Sequence, residues 1–246
     1  MRNNRLINLL KGLFFWQGWH PEVALRYLPV VSEIKKLGRQ PQVLDIGSGG
    51  LGIAPYIGYK VTGCDIKFRP PFHHLLDRIK ARAEKLPFAD RVFDVVVSVD
   101  TLEHLNKNSR QKAIQEMLRL AEKLVCLAVP CGQPAYLQDK MLSKYYRKKF
   151  KKKYQFFEEQ LKLGLPEKEE IVMFIEKAAV SWNKKIKISI LNNENLKLRE
   201  FLMKGWMTKN ILLTIFFRKI MLIALPFMIR MNQPPVYRQI FIIKIL

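Results

Sequence analysis

The sequence predicts an α/β fold: a doubly wound, mostly parallel sheet with helical additions and a C-terminal antiparallel strand. Three observations predict it. Short apolar, β-branched runs alternate with helical periodicity over residues 40–130. The first of these runs enters a glycine cluster, as a strand does when it turns toward a ligand-binding helix. Hydrophobic residues make up 49% of the 246-residue chain, enough for a sizeable core.

The elements follow in chain order. Leu6, Leu10, Leu13 and Phe14 recur at helical spacing, which predicts an amphipathic helix over 4–16. Lys11 interrupts this apolar stretch and no small-residue cleavage site follows, so a secretory signal is not expected. A second helix is expected from Pro21 to Leu37, bent or broken at Pro29 and ended by Gly38. Strands are expected at Gln42–Ile46, Lys60–Asp65, Ile79–Ala83, Phe93–Val99 and Leu124–Val129. Between the last two, Ser109 is positioned to cap a helix whose apolar face carries Ile114, Met117, Leu118 and Ala121. After Pro130 the rhythm changes to helices over 135–180, a strand at Lys184–Leu191, apolar helices over 195–231, and a closing strand at Val236–Ile245. The organisation expected is 1–39 as N-terminal helices covering the core, 40–130 as the ligand-binding core, and 131–246 as a helical cover with the last two strands of the same sheet.

The formal net charge is +22, which attracts polyanions: nucleic acid, anionic headgroups or phosphorylated substrates. Residues 1–130 hold 20 basic and 12 acidic residues; 131–246 hold 23 and 9, so the basic character belongs mainly to the second half. Cys64, Cys126 and Cys131 lack metal-ligand or CxxC spacing and read as buried, reduced thiols of a cytoplasmic protein. His73 and His74 have no companions at ligand spacing, and no metal site is expected.

The most informative stretch is Val43-Leu-Asp-Ile-Gly-Ser-Gly-Gly-Leu-Gly52. Glycines permit positive φ and close ligand approach, and the helix after them offers free N–H groups. Gly47, Gly49 and Gly52 also match the dinucleotide pattern G-x-G-x-x-G. Asp65 lies 20 residues after Asp45, at the end of the second strand, where a carboxylate grips ribose hydroxyls. Asp45 just before the glycines would repel a pyrophosphate and favour a cationic ligand.

Four segments resemble the ordered motifs of class I S-adenosylmethionine-dependent methyltransferases: Val43–Gly49, Cys64–Ile66, Ala83–Phe88 with Phe93–Ser98, and Asp100–Leu105. The resemblance covers roughly residues 40–130. It implies a Rossmann-like domain with S-adenosyl-L-methionine as cofactor. By the same resemblance Asp45, Gly47, Ser48, Gly49 and Gly50 cradle the methionine part. Asp65 and Ile66 hold the ribose and adenine edge, Ala83 and Glu84 approach the adenine, and Asp100 and Leu102 line the floor beneath the sulfonium. One departure is Leu51, which stands where the family has its third glycine, flanked here by Gly50 and Gly52.

Methyl transfer from a sulfonium requires alignment and exclusion of water, and a hydroxyl acceptor also requires a base. Glu103-His104, on the carboxyl edge after the fourth strand, supplies the best candidate, with His104 as catalytic base.

Two features of the tail point to partners. Lys140 to Lys153 carries eight basic residues interleaved with Tyr145, Tyr146, Phe150 and Tyr154. It reads as an anion-binding helix or as a solvated face whose aromatics pack on the sheet. Ile211–Ile229 is the most apolar stretch, interrupted by Arg218, Lys219 and Pro226. Its twelve Leu/Ile/Phe contribute roughly −4 to −7 kcal/mol to insertion and the two cations cost about 5 to 7, so the terms nearly cancel. Burial against the domain is the plainer expectation, and lying in an anionic membrane interface the other. Arg238 and Gly164–Glu170 loosely resemble bacterial and archaeal methyltransferases encoded beside glycosyltransferases, which implies a small-molecule, glycan or lipid-linked acceptor and a cytoplasmic location, peripheral to the inner face of the membrane. An RNA methyltransferase is favoured by charge, a nicotinamide-dependent oxidoreductase by the glycine match, and a non-catalytic cofactor-binding module stays open.

Overall fold

The computed structural model describes residues 18–246; the helix expected over 4–16 lies outside them. A seven-stranded sheet forms the centre, in the order β3-β2-β1-β4-β5-β7-β6. Its strands are β1 (Val43–Ile46), β2 (Val61–Asp65), β3 (Leu76–Lys80), β4 (Phe93–Val99), β5 (Ala121–Pro130), β6 (Ile186–Asn195) and β7 (Val236–Ile245). β1 to β5 pair in parallel, and β7 runs antiparallel to both β5 and β6. The expected class is therefore observed, including the antiparallel C-terminal strand.

The period of two along each strand divides the core between the two faces. Val43, Val95, Val97, Leu124, Cys126, Ile240 and Ile242 face one way, toward α1 (Pro21–Lys35), α2 (Ala54–Ile57) and α7 (Leu196–Trp206). Leu44, Ile46, Val96, Val125, Leu127, Phe241 and Ile243 face the other, toward α3 (Lys107–Leu120) and α6 (Lys168–Ser181). Both faces being buried explains why these strands read as continuous apolar runs. A third cluster joins α4 (Gly132–Phe150), α5 (Gln155–Leu163) and α7 through Leu142, Tyr146, Phe157, Met203 and Met207.

Four expectations are corrected. β3 starts three residues earlier than expected, because Leu76 is its buried anchor and Ala81–Ala83 already belong to the loop. Asn106, not Ser109, caps α3: its side-chain oxygen accepts the Ser109 N–H at 3.0 Å. The aromatics of the basic stretch pack against α5 and α7 instead of the sheet, with Tyr146 and Trp206 rings stacked at 6.3 Å. The apolar segment is mostly exposed, with only Leu225 and Met228 buried. It forms α8 (Ile211–Arg218), a 3-10 turn (Ile220–Ala224) and α9 (Leu225–Met228), and α8 has no buried residue. Its second half packs on the core beside α1 through Leu225 and Met228, with Met221 and Leu222 partly buried against them, while α8 stays outside.

Candidate active site

The carboxyl edge of the parallel strands opens into a cavity of about 680 Å³. The loop after β1 forms one wall. Gly47 has φ +78, and a Cβ there would stand 2.0 Å from Thr101 Oγ1, so only glycine lets the β1 and β4 ends close together. Gly52 answers the departure at Leu51: it has φ +51, and a Cβ would meet Asp45 Oδ2 at 2.3 Å.

Ten of the expected residues line the cavity: Gly47, Ser48, Gly49, Gly50, Asp65, Ile66, Ala83, Glu84, Asp100 and His104. Asp65 Oδ2 accepts the Gly49 N–H and Oδ1 the Lys67 N–H, both at 2.9 Å, so this carboxylate braces the glycine loop. Each oxygen retains a second lone pair for a ligand hydroxyl. Ile66 holds its apolar side chain 63% exposed at the rim, available to a planar ring. Glu84 pairs with Arg82 at 3.0 Å.

Asp45 and Leu102 do not line the cavity. Leu102 is core. Asp45 lies beneath the loop, where Oδ2 accepts the Ile53 N–H at 2.7 Å and Oδ1 is buried without a partner. Burial pushes its pKa up to about 7, against the Ile53 N–H, which favours the ionised form. Its position removes the electrostatic argument that Asp45 selects a cationic ligand over a pyrophosphate; it shapes the loop instead.

Asp100 sits at φ +50, just past β4. Its carboxylate accepts Arg238 Nε at 2.5 Å and Nη2 at 2.7 Å, and pairs with Arg26 Nη1 at 3.1 Å. Burial alone would raise its pKa, yet Arg238 and Arg26 outweigh burial and hold it below the ordinary value. Arg238 also donates to Glu194 at 3.1 Å and Asn193 at 2.9 Å. The topology causes this meeting. Antiparallel β7 begins at the edge where β4, β5 and β6 end, with Arg238 opposite Pro130 on one side and Asn193 on the other.

His104 ends a 3-10 turn (Leu102–His104) and is half-buried. Its Nδ1 is 3.1 Å from Glu159 Oε2 of α5, and its ring meets Phe156 edge-on at 5.4 Å. Burial lowers its pKa more than Glu159 and Asp100 raise it, so the ring is neutral at pH 7. A carboxylate only accepts, so the proton belongs on Nδ1 and Nε2 carries the lone pair. Glu103 is fully buried beside it, with Oε2 unpartnered. Burial and the nearby Asp100 push its pKa well up, which favours the protonated form, and it does not line the cavity. His73 and His74 stack on one another at 4.7 Å outside the cavity.

Sequence reasoning missed the α5 wall of Gln155, Phe156 and Glu159, and the basic rim of Lys67, Arg69 and Arg82. It also missed the clamp that Arg26 and Arg238 make on Asp100. A cation inside the apolar strand Val236–Ile245 was the available signal, since a charge there needs a buried partner.

The wall chemistry suits S-adenosylmethionine: glycine amides for an amino-acid part, a carboxylate with spare lone pairs for a ribose, and an apolar rim with a polar edge for adenine. Residues 44–124 match a family model described as a methyltransferase domain. No curated protein sequence matches the chain. Among solved structures, a proposed methyltransferase from an antibiotic biosynthesis pathway of Anabaena variabilis superposes with a TM-score of 0.50 at 16% identity, over 88% of this chain and 98% of that one. A SAM-dependent methyltransferase from Thermotoga maritima gives 0.48 at 16% identity, over 98% and 96%. A toxoflavin-precursor N1-methyltransferase of Burkholderia thailandensis, solved with S-adenosylhomocysteine, gives 0.37 at 21% identity, over 45% and 53%.

Proposed function

We propose that this S-adenosylmethionine-dependent methyltransferase delivers its methyl group to a small-molecule, glycan or lipid-linked acceptor bearing a hydroxyl, with His104 as the base. The observation that carries the base assignment is the Glu159–His104 pair on the cavity wall. Bound S-adenosylmethionine supplies an activated methyl group on a sulfonium. Gly47, Ser48, Gly49 and Gly50 would hold its amino-acid end, Asp65 its ribose, and Ile66, Ala83 and Glu84 its adenine. Glu159 orients the imidazole and stabilises the imidazolium that forms when Nε2 accepts the acceptor proton. Phe156, edge-on to the imidazole at 5.4 Å on the cavity wall, would help to exclude water there. Arg238 and Arg26 pair with Asp100 and would hold it in place on the cavity wall during transfer.

The test is turnover of a hydroxyl-bearing acceptor by His104→Ala, whose rate should fall by about 10²–10⁴ while cofactor affinity holds. The His104 pKa lies below the ordinary 6.5, so the wild-type rate should rise with pH through that lower value and then level. Glu159→Gln removes a carboxylate that raises the His104 pKa, and should move the rise to still lower pH. Full-speed turnover by His104→Ala would leave the reaction to alignment alone.

A further inference from the structure

Two features of the second half stand outside the cavity and unused by the chemistry above: the exposed apolar segment 211–229 and the basic end of α4. We propose that together they form a docking surface for an anionic lipid bilayer.

The apolar part is exposed well beyond the scattered residues of an ordinary surface. Ile211, Leu212, Ile223 and Phe227 are 70%, 72%, 83% and 69% exposed. The stretch Ile211–Met228 has a mean hydropathy of 2.0, with 11% of its residues buried. It does not cross a bilayer. β6 and α7 lead into it, and β7 leads out of it to pair with both β5 and β6, so both ends return to one domain. The helix also breaks at Lys219, where φ is −127 and ψ is −53. Short amphipathic pieces of this kind lie in the interfacial plane, with the apolar side among the acyl chains.

Charge selects the lipid. Residues 201–235, before β7, contain five Lys or Arg and no Asp or Glu. The basic end of α4 adjoins the apolar segment directly: Lys209, two residues before α8, lies 5.5 Å over the Phe150 ring. Lys148 and Lys152 are exposed on that same end. A second copy of the chain docking by two-fold symmetry would oppose this cationic rim to itself, and protein interfaces are depleted in lysine. An anionic headgroup layer meets both demands at once. The surface also reaches the cavity wall. Trp206, at the end of α7, contacts Tyr154 at 5.3 Å, and Tyr154 contacts Phe156 of the cavity at 5.5 Å. Docking would therefore set α5 and the cavity beside the bilayer, where an amphiphilic acceptor presents its polar end. This deepens the acceptor reading above, and a sedimentation readout stands or falls independently of turnover.

The experiment is co-sedimentation of the full chain with phosphatidylcholine vesicles, with and without phosphatidylglycerol, at low and high salt. Binding should need the anionic lipid at low salt and fall, without vanishing, at high salt, because screening removes the charge part alone. Each lysine near an anionic surface multiplies partitioning by about fivefold, so Lys148→Gln, Lys152→Gln and Lys209→Gln together should weaken low-salt binding at least tenfold. Ile223→Gln with Phe227→Gln should abolish the part that survives salt. All five side chains are exposed, so thermal melts of both variants should match the wild type. Protein left in the supernatant with anionic vesicles at low salt overturns the proposal. So does binding unchanged in the Ile223/Phe227 variant, or a concentration-dependent dimer that this variant disperses, which would assign the patch to a second copy.

Discussion

At the scale of single residues, two carboxylates show how position decides the work of one chemical group. Asp65 is accessible and braces the loop while keeping lone pairs for a ligand. Asp65→Ala should lower S-adenosylmethionine affinity at least tenfold in calorimetry, since two charge-assisted bonds of about 1.5–3 kcal/mol each are lost. Unchanged affinity in a folded variant would remove the ribose from this residue. Asp45 is buried, and its pKa is raised from 3.8 to about 7. A carboxyl raised on folding contributes stability that is complete below its unfolded pKa and lost as pH rises through the folded one. The free protein should therefore lose stability between about pH 4 and pH 7 relative to Asp45→Asn, by up to about 4 kcal/mol at 1.36 kcal/mol per pKa unit. Denaturant melts across that range measure it, and parallel curves for the two proteins would refute the assignment.

At the scale of elements, buried ion pairs tie the added strands to the cofactor core. Arg238 of β7 holds Asp100 after β4 and Glu194 at the end of β6. Arg199 of α7 holds Asp139 of α4 at 2.6 Å, and its guanidinium lies 3.3 Å over the Tyr237 ring. The desolvation cost of such pairs is met only while both partners are present. Arg238→Met should cost about 3–5 kcal/mol in chemical denaturation, because buried Glu194 loses its cation and Asp100 keeps only Arg26. Arg238→Met with Asp100→Asn should cost less than the two single changes summed, since the carboxylate that lost its bidentate partner is then neutral. Additive costs would mean that the pair is not coupled.

At the scale of the whole molecule, ligand binding to the folded state alone raises stability. A ligand at 100 times its Kd adds about 2.7 kcal/mol. For a chain of this size that raises Tm by roughly 5–10 °C. S-adenosylmethionine or its demethylated product should produce this rise in scanning calorimetry, and NAD at the same concentration should not. The reverse result would replace the methyltransferase with an oxidoreductase.

The strand and helix alternation, the glycine loop and the positions of Asp65 and His104 were legible in the chain, and Glu84 only through the family resemblance. Each depends on short-range pattern: period, turn chemistry and motif spacing within about 100 residues. β4 and β7 were read with their observed bounds because β-branched and apolar runs specify them locally. What only the tertiary structure decided lies between distant segments. Arg26 and Arg238 converge on Asp100 because an antiparallel last strand begins where the parallel strands end, and no local pattern carries that register. Glu159 meets His104 because α5 folds back over the sheet edge. Asp45 turns inward because Gly52 leaves room beneath the loop, and the apolar segment 211–229 joins the core beside α1 only through Leu225 and Met228, while α8 stays exposed. Hydrophobicity determines that a segment avoids water. Which surface it finds depends on the space that the rest of the chain has left.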